Sequence, residues 1–309
     1  MQVKKSSKIG LALLISAVVT SVFCHGYALG SSTEGGAEVD APEQSVIDLS
    51  NEVTDPRWEI GLIGFGGYLP YYKGSSENRP LLFAFPYVVY RGEIISLDDE
   101  SITGLILDTE TFTLDLAVYG EVNKNDDARE GMDELDAIMM AVGPSLNYYF
   151  ARKASAGHDL YLSLSVRGAI TGDWDDELTV DYRGIQSKLI LTYENYELLP
   201  KKQLELIAGV SLSAIDSELA GYFYDVAPRF ATADRPAFDA DGGYAGASIS
   251  LDLKYHVSDR FSVRGYSNVD FLHGAAFEDS PLVDETINYT LGLALIYSFI
   301  QSDDRVIRE

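Results

Sequence analysis

Outside its first thirty residues this chain carries three histidines, His158, His256 and His273, and they limit the chemistry it could do. Hydrolysis by an activated nucleophile needs a base beside a serine and a third group to orient that base. His273, just past a strand, has a serine and a carboxylate nearby in sequence, Ser267 and Asp270. Successive side chains of a strand point to opposite faces, so Ser267 and Asp270 diverge, and His273 reads as a solvated loop residue. No HExxH pair, GxSxG elbow or phosphate-binding P-loop occurs. Gly61, Gly64, Gly66 and Gly67 imitate a phosphate cradle, but no helix follows them. Strand glycines that allow close backbone approach are the better reading.

Carboxylates are the abundant reactive groups. Asp and Glu number 48 against 23 Lys and Arg, a formal net charge of −25. That balance excludes nucleic acid as a partner, because such binding rests on basic surface. Clusters occur at Asp98–Glu100, Asp126 and Asp127, Asp173–Glu177, and Glu278 with Asp279. Divalent cations favour several carboxylate and carbonyl oxygens, yet none of these spacings is a defined calcium loop. The clusters read as solvated loops, with divalent cations shared with lipopolysaccharide as the functional alternative. The single cysteine, Cys24, lies near the N-terminus, so disulfides and cysteine metal sites are not expected. Neither a cofactor nor a metal site is expected.

The elements that would position any such group alternate in hydropathy. In Ala247–Val257 the residues Ala247, Ile249, Leu251, Leu253, Tyr255 and Val257 interleave with Ser248, Ser250, Asp252, Lys254 and His256. Phe261–Phe271 alternates in the same way, and Leu291, Leu293, Leu295, Tyr297 and Phe299 share one face. A period of two places these sets on opposite faces of a sheet. About ten residues per strand is the length a tilted strand needs to cross a bilayer. A cation on the lipid face near the midplane costs about 2–4 kcal/mol, so charged residues should take the other face. Asp115, Arg167, Glu205, Asp252, Lys254, Arg264 and Asp270 all do, and they are the expected lumen-facing polar residues.

Residues 1–28 read as a signal peptide: Lys4, Lys5 and Lys8, then an apolar run, then Gly26-Tyr27-Ala28 for cleavage. Residues 29–56 read as a flexible, acidic periplasmic segment, 57–299 as the barrel, and 300–309 as a periplasmic tail. About twelve strands are expected, near 57–69, 81–91, 93–98, 101–107, 110–122, 136–150, 159–171, 178–193, 203–215, 243–257, 260–272 and 287–299. The third and fourth are short, and as one folded-over hairpin they would leave ten. The apolar phase switches between Tyr182 and Leu189, which asks for a bulge near Gly184. Connections alternate short and long, and long loops of such barrels lie outside the cell. Tyr68, Tyr71, Tyr72, Tyr148, Phe150, Tyr193, Tyr297 and Phe299 sit near strand ends, where aromatic rings suit the membrane boundary.

Four stretches carry a resemblance. They are Gly64–Pro86 with the following YVVYRG, Glu134–Phe150 with its Gly-Pro pair, Gly221–Gly243 with Tyr222, Tyr224, Val226 and Pro228, and Gly274–Val283. In order and spacing they resemble the MipA/OmpV family, named after a protein that interacts with a murein transglycosylase. The resemblance implies an all-β, transmembrane, antiparallel up-and-down barrel without enzymatic activity. It also implies a scaffold that joins a lytic transglycosylase to a peptidoglycan synthase. The expected function is therefore a structural or scaffolding role in a Gram-negative cell outer membrane, among lipid and lipopolysaccharide. The alternative is a narrow pore or small-solute-binding barrel, with an outer-membrane lipase behind it.

Overall fold

Strict alternation makes a wall with two solvents. In the computed structural model, which describes residues 54–92, 95–97, 102–122, 129–136, 138–153, 157–174, 178–199 and 204–307, the strands close into a barrel. A short β1 (Thr54–Pro56) precedes the ring. The ring is β2 (Trp58–Pro70), β3 (Asn78–Arg91), β4 (Ile95–Leu97), β5 (Ile102–Asp108), β6 (Phe112–Val122), β7 (Ile138–Ala151), β8 (Asp159–Trp174), β9 (Leu178–Asn195), β10 (Leu204–Ile215), β11 (Gly243–Ser258), β12 (Phe261–Phe271) and β13 (Ile287–Gln301). Each strand pairs antiparallel with its chain neighbours, and β13 closes on β2 through Leu291↔Tyr68 to Gln301↔Glu59. The fold is thus an up-and-down barrel of twelve strands, and the expected short third and fourth strands are β4 and β5, both within the ring.

The two faces separate as the alternation requires. On β11, Ile249, Leu251, Tyr255 and Val257 are exposed on the outside, while Ser248 and Asp252 are buried. On β13, Tyr289, Leu291, Leu293, Leu295, Tyr297 and Phe299 form an exposed apolar row. Such a row suits hydrocarbon, and closure leaves the sheet no lipid-facing end strand. No helix among the described residues is long and apolar enough to cross a membrane.

The phase switch in β9 has a local cause. Ala169 pairs with Gly184 and Ile170 with Tyr182, so Arg183 is an extra residue and the strand is bulged there. Gly184 takes φ +115°, which L side chains rarely adopt. A Cβ there would also press on Asp216 and the Leu219 amide. The bulge thus makes room for the first turn of a helix on the inner side of the wall.

That helix, α1 (Ser217–Tyr224), lies in the long connection after β10 and was not foreseen in the sequence. Asp216 is its N-cap. One oxygen accepts from the Leu219 amide at 2.9 Å, and the other from the Ile185 amide at 2.9 Å. One carboxylate thereby satisfies an orphan helix donor and an amide beside the bulge. The long connections gather at this end of the barrel, and the two ends of the described chain gather at the other. There β1 pairs with β14 (Arg305–Ile307), and Arg57 meets Asp304 at 2.6 Å. The leader, most of the 29–56 segment and the acidic clusters 98–100 and 126–127 lie outside the described residues.

Candidate functional site

The interior has two unlike walls and a lid. The polar wall lines β6 to β12. Thr113, Asp115, Asn147, Ser163, Ser165, Arg167, Lys188, Thr192 and Glu194 are all buried there. Buried polar groups need partners, since an orphan costs about 1–3 kcal/mol. Asn147 supplies several: its Nδ2 donates to Thr113 Oγ1 at 2.8 Å and to Asp115 Oδ2 at 2.9 Å, and its Oδ1 accepts from Ser163. Arg167 donates to Ser145 Oγ at 3.3 Å and lies 4.1 Å over the Tyr119 ring. Glu194 accepts from Tyr161 at 2.6 Å and from Tyr196 at 2.5 Å.

The seven residues expected to face the lumen fall into three groups rather than one centre. Asp115 and Arg167 share the network around Asn147 and Ser145. Arg264 Nε meets Asp252 Oδ2 at 2.7 Å, and beside them Lys254 Nζ lies 4.0 Å from Glu205. Asp270 sits toward the long-loop end, where Lys73 meets it at 2.8 Å and Asn268 donates to it at 2.6 Å. Asp115, Arg167, Glu205, Asp252 and Asp270 are buried, and Lys254 and Arg264 are half-buried. Sequence reasoning missed Lys188, Thr192 and Glu194. Their signal was available, because they share parity on β9 opposite the outward Leu189, Leu191 and Tyr193.

One relay among these strands has the residue types of a hydrolase. Ser262 Oγ lies 3.0 Å from His256 Nδ1, and His256 Nε2 lies 2.5 Å from Glu205 Oε1. Acyl transfer also needs donors aimed at the developing oxyanion. Ser262 sits mid-ladder between His256 of β11 and Ile296 of β13, so its own backbone serves the sheet. The relay satisfies polar atoms inside the barrel. His273 is exposed and hydrogen-bonded to Thr286, apart from Ser267 and Asp270.

The apolar wall lines β2, β3 and β13. Ile63, Phe65, Tyr87, Val89 and Ile296 are buried inside the barrel with Tyr266 of β12, and Leu81, Phe83 and Phe85 are packed against them. Phe83 lies 5.0 Å from Phe65 and 5.3 Å from Phe85. Here inward and outward residues are both apolar.

The lid closes over the long-loop end. Tyr72, Leu135, Ala220, Tyr224, Val226, Leu272, Phe277 and Leu282 form a buried core drawn from four connections. Tyr224 stacks on Phe277 at 3.8 Å, and its hydroxyl donates to Lys73 O at 2.9 Å. Tyr72 donates to Leu282 O at 2.9 Å, and Ser280 to Tyr224 O at 2.7 Å. Leu219 of α1 reaches the inward residues Met139 and Ala169, so the lid enters the mouth of the barrel. Tyr71 and Tyr72 therefore belong to the lid, not to an aromatic belt; the loop that carries them folds inward. Pairs such as Tyr148–Phe150 and Tyr297–Phe299 stay on the outer surface near the short-turn end.

Titratable groups in the lid are held by the same packing. Burial pushes the Asp136 carboxyl up. Hydrogen bonds from Thr171 and Arg183, the Arg183 charge and Tyr222 more than offset it, so the group sits below the ordinary carboxylate range. Burial, with the Asp136 charge behind it, pushes the Tyr222 hydroxyl up. Among the described residues, no group of three or more His, Asp or Glu is gathered to hold a metal ion. The Glu278 carboxylate accepts from the Gly274 amide at 2.6 Å.

Among known proteins, residues 63–299 match the family described as MltA-interacting protein MipA. No curated protein matches the chain. Solved structures with some likeness include the NanC porin, at 9% identity and TM-score 0.38, covering 76% of this chain and 98% of that one. Another is OprB of Pseudomonas putida, at 14% identity and TM-score 0.35, covering 64% of this chain and 47% of that one. A third is the toluene transporter TodX of Pseudomonas putida, at 9% identity and TM-score 0.33, covering 92% of this chain and 97% of that one. The family match spans all twelve strands of the ring, from within β2 to near the end of β13, and this chain belongs to the MipA family of outer-membrane β-barrel proteins.

Proposed function

We propose that this protein is a lidded, non-enzymatic barrel that serves as a scaffold at the outer membrane. The lid is the observation that carries the reading. A conducting pore needs a continuous wet path, and the mouth here is packed with Tyr72, Tyr224, Phe277 and Leu282. What a lidded barrel offers is fixed surface. On this reading the short-turn end, with the paired β1 and β14, faces the periplasm. It presents itself there to a murein lytic transglycosylase, the class of partner in the family's description. Export by the 1–28 leader belongs to the same proposal, as do outward acidic loops that meet lipopolysaccharide through shared divalent cations.

A second reading, a small-solute-binding barrel, is favoured by the partial exposure of Lys254, His256 and Arg264 toward the lumen. Two measurements test the proposal. Purified protein in planar bilayers is expected to give no steady conductance; stable unit steps would favour the pore. Immobilised protein is expected to retain a purified lytic transglycosylase, and a variant lacking 305–309 to retain less. Failure of the full chain to retain any such enzyme would overturn the scaffold.

A further inference from the structure

The apolar outside of the barrel is not level. The register sets outward residues of adjacent strands side by side. Across β11, β12, β13, β2 and β3 one such row reads Leu253, Gly265, Leu293, Gly66, Leu82. Large side chains and bare glycines take turns along it. The neighbouring row reads Leu251, Ser267, Leu291, Tyr68. Gly66, Gly265 and Ser267 floor an open groove of about 470 Å³, and Leu291, Leu293 and Tyr68 stand around it.

Glycine weakens a strand, so each one asks for a reason. At Gly61 and Gly67 the reason lies inside the chain, where a Cβ would collide with the Tyr297 carbonyl and with the Phe65 ring. At Gly64 and Gly265 a Cβ would meet nothing within 4 Å. At Gly66 it would meet only Leu82 Cδ1 at 3.7 Å, an ordinary contact. None of these three outward glycines takes a positive φ. The barrel itself therefore has room for side chains there. Fluid acyl chains adapt to a methyl group and do not require its absence. A second protein surface does, because close packing holds proteins together in a bilayer and small residues let backbones approach. Ser267 points the same way: acyl chains offer its hydroxyl no partner, and a protein face can.

We propose that two copies of this chain associate in the membrane through β13 and β2, with Leu291 and Leu293 of each copy seated on Gly64 and Gly66 of the other. The face selects a second copy because it carries a knob, Leu293, directly beside a socket, Gly66. An isologous two-fold contact requires that self-complementarity. Copies inserted the same way share an axis along the membrane normal, here between β13 and β2. That contact also brings Tyr68 of one copy toward Ser267 of the other. Among the described residues no charged side chain lines the groove, so this acidic chain puts no charge into the contact. Leu62, Tyr68, Tyr289, Leu291, Leu293 and Leu295 are each 40–59% exposed. At about 200 Å² for a fully exposed side chain of this size they offer roughly 600 Å², before the groove floor is counted. Each partner in a stable complex gives up about 800 Å².

The test is cross-linking, with subunit counting beside it. In a Cys24→Ser background, differently tagged Leu293→Cys and Gly66→Cys copies are expressed together and oxidised in their membranes. A disulfide-linked pair carrying both tags is expected. Leu146→Cys, outward on β7, combined with Gly66→Cys is expected to give none. Gly66→Leu fills the socket. Its barrel is expected to fold, judged by heat-modifiable gel mobility, because the new Cβ has room. Its dimer fraction, counted by single-molecule photobleaching in bilayers at a fixed protein-to-lipid ratio, is expected to fall at least tenfold. Gly64→Leu reads the same socket if Gly66→Leu does not fold. Wild-type protein that bleaches in single steps throughout would overturn the proposal and leave the groove to lipid or to an unlike protein. So would a folded Gly66→Leu variant that dimerises like the wild type, or cross-linking through Leu146→Cys as strong as through Leu293→Cys.

Discussion

The two interior walls of this barrel keep the same backbone geometry and opposite chemistry. On β6 to β9 the inward row is hydroxyl, amide and charge, with Asn147, Arg167 and Glu194 tied to neighbours by hydrogen bonds. On β2 and β3 it is Ile63, Phe65, Tyr87 and Val89. A barrel needs only that its outside suit lipid; it leaves the inside free. The difference shows that interior side chains here fill and brace the lumen rather than line one uniform channel. A polar wall is held by directional bonds and fails when one partner is lost. An apolar wall is held by volume and fails by degrees.

The largest expected effect comes from breaking a charge pair on the polar wall. Arg264→Ala takes the guanidinium at 2.7 Å away from the buried Asp252 carboxylate, a loss of about 3–5 kcal/mol. Urea unfolding in lipid vesicles should show it, and Asp252→Leu combined with Arg264→Met should recover most of the loss. Equal destabilisation of single and double variants would mean that the pair is not the unit. On the apolar wall, Ile63→Val removes one methylene from a residue 2% exposed, and should cost only about 0.5–1.5 kcal/mol. The same assay should find this loss indifferent to salt. The smallest effect is in the lid. Asp136 is held below its usual value of 3.8, so its contribution is complete above that pH and is lost as pH falls below it through the lowered folded-state value. Proteolytic nicking of the lid should rise on acidification below about pH 3.8 in the wild type, and Asp136→Asn should remove that dependence. An unchanged nicking profile would detach Arg183 and Tyr222 from lid stability.

The barrel was legible because period-two alternation and charge placement are local. Each of Ala247–Val257, Phe261–Phe271 and Leu291–Phe299 announces its faces without help from the rest of the chain. The bulge at Gly184 was legible for the same reason, as a break in phase. The lid was not. Its core joins Tyr72, Leu135, Tyr224, Phe277 and Leu282 across four connections, and no period within one loop marks them as partners. Tyr72 was misassigned to an aromatic belt because a tyrosine beside a strand end serves either setting. The α1 helix is eight residues long and held by Asp216 and packing, too short to stand out by propensity. The Ser262–His256–Glu205 relay spans three strands and depends on register, which the sequence does not print.

A lipid-facing barrel requires each strand to show lipid and lumen in turn. With Cys24 replaced by serine, a nitroxide is placed at each position from Ser248 to Val257 in liposomes. Its collisions with lipid-soluble oxygen are then compared residue by residue. Oxygen access should peak at 249, 251, 253, 255 and 257 and drop at 250, 252 and 254. A flat profile, or peaks at Asp252 and Lys254, would contradict a lipid-facing barrel with a polar inner wall.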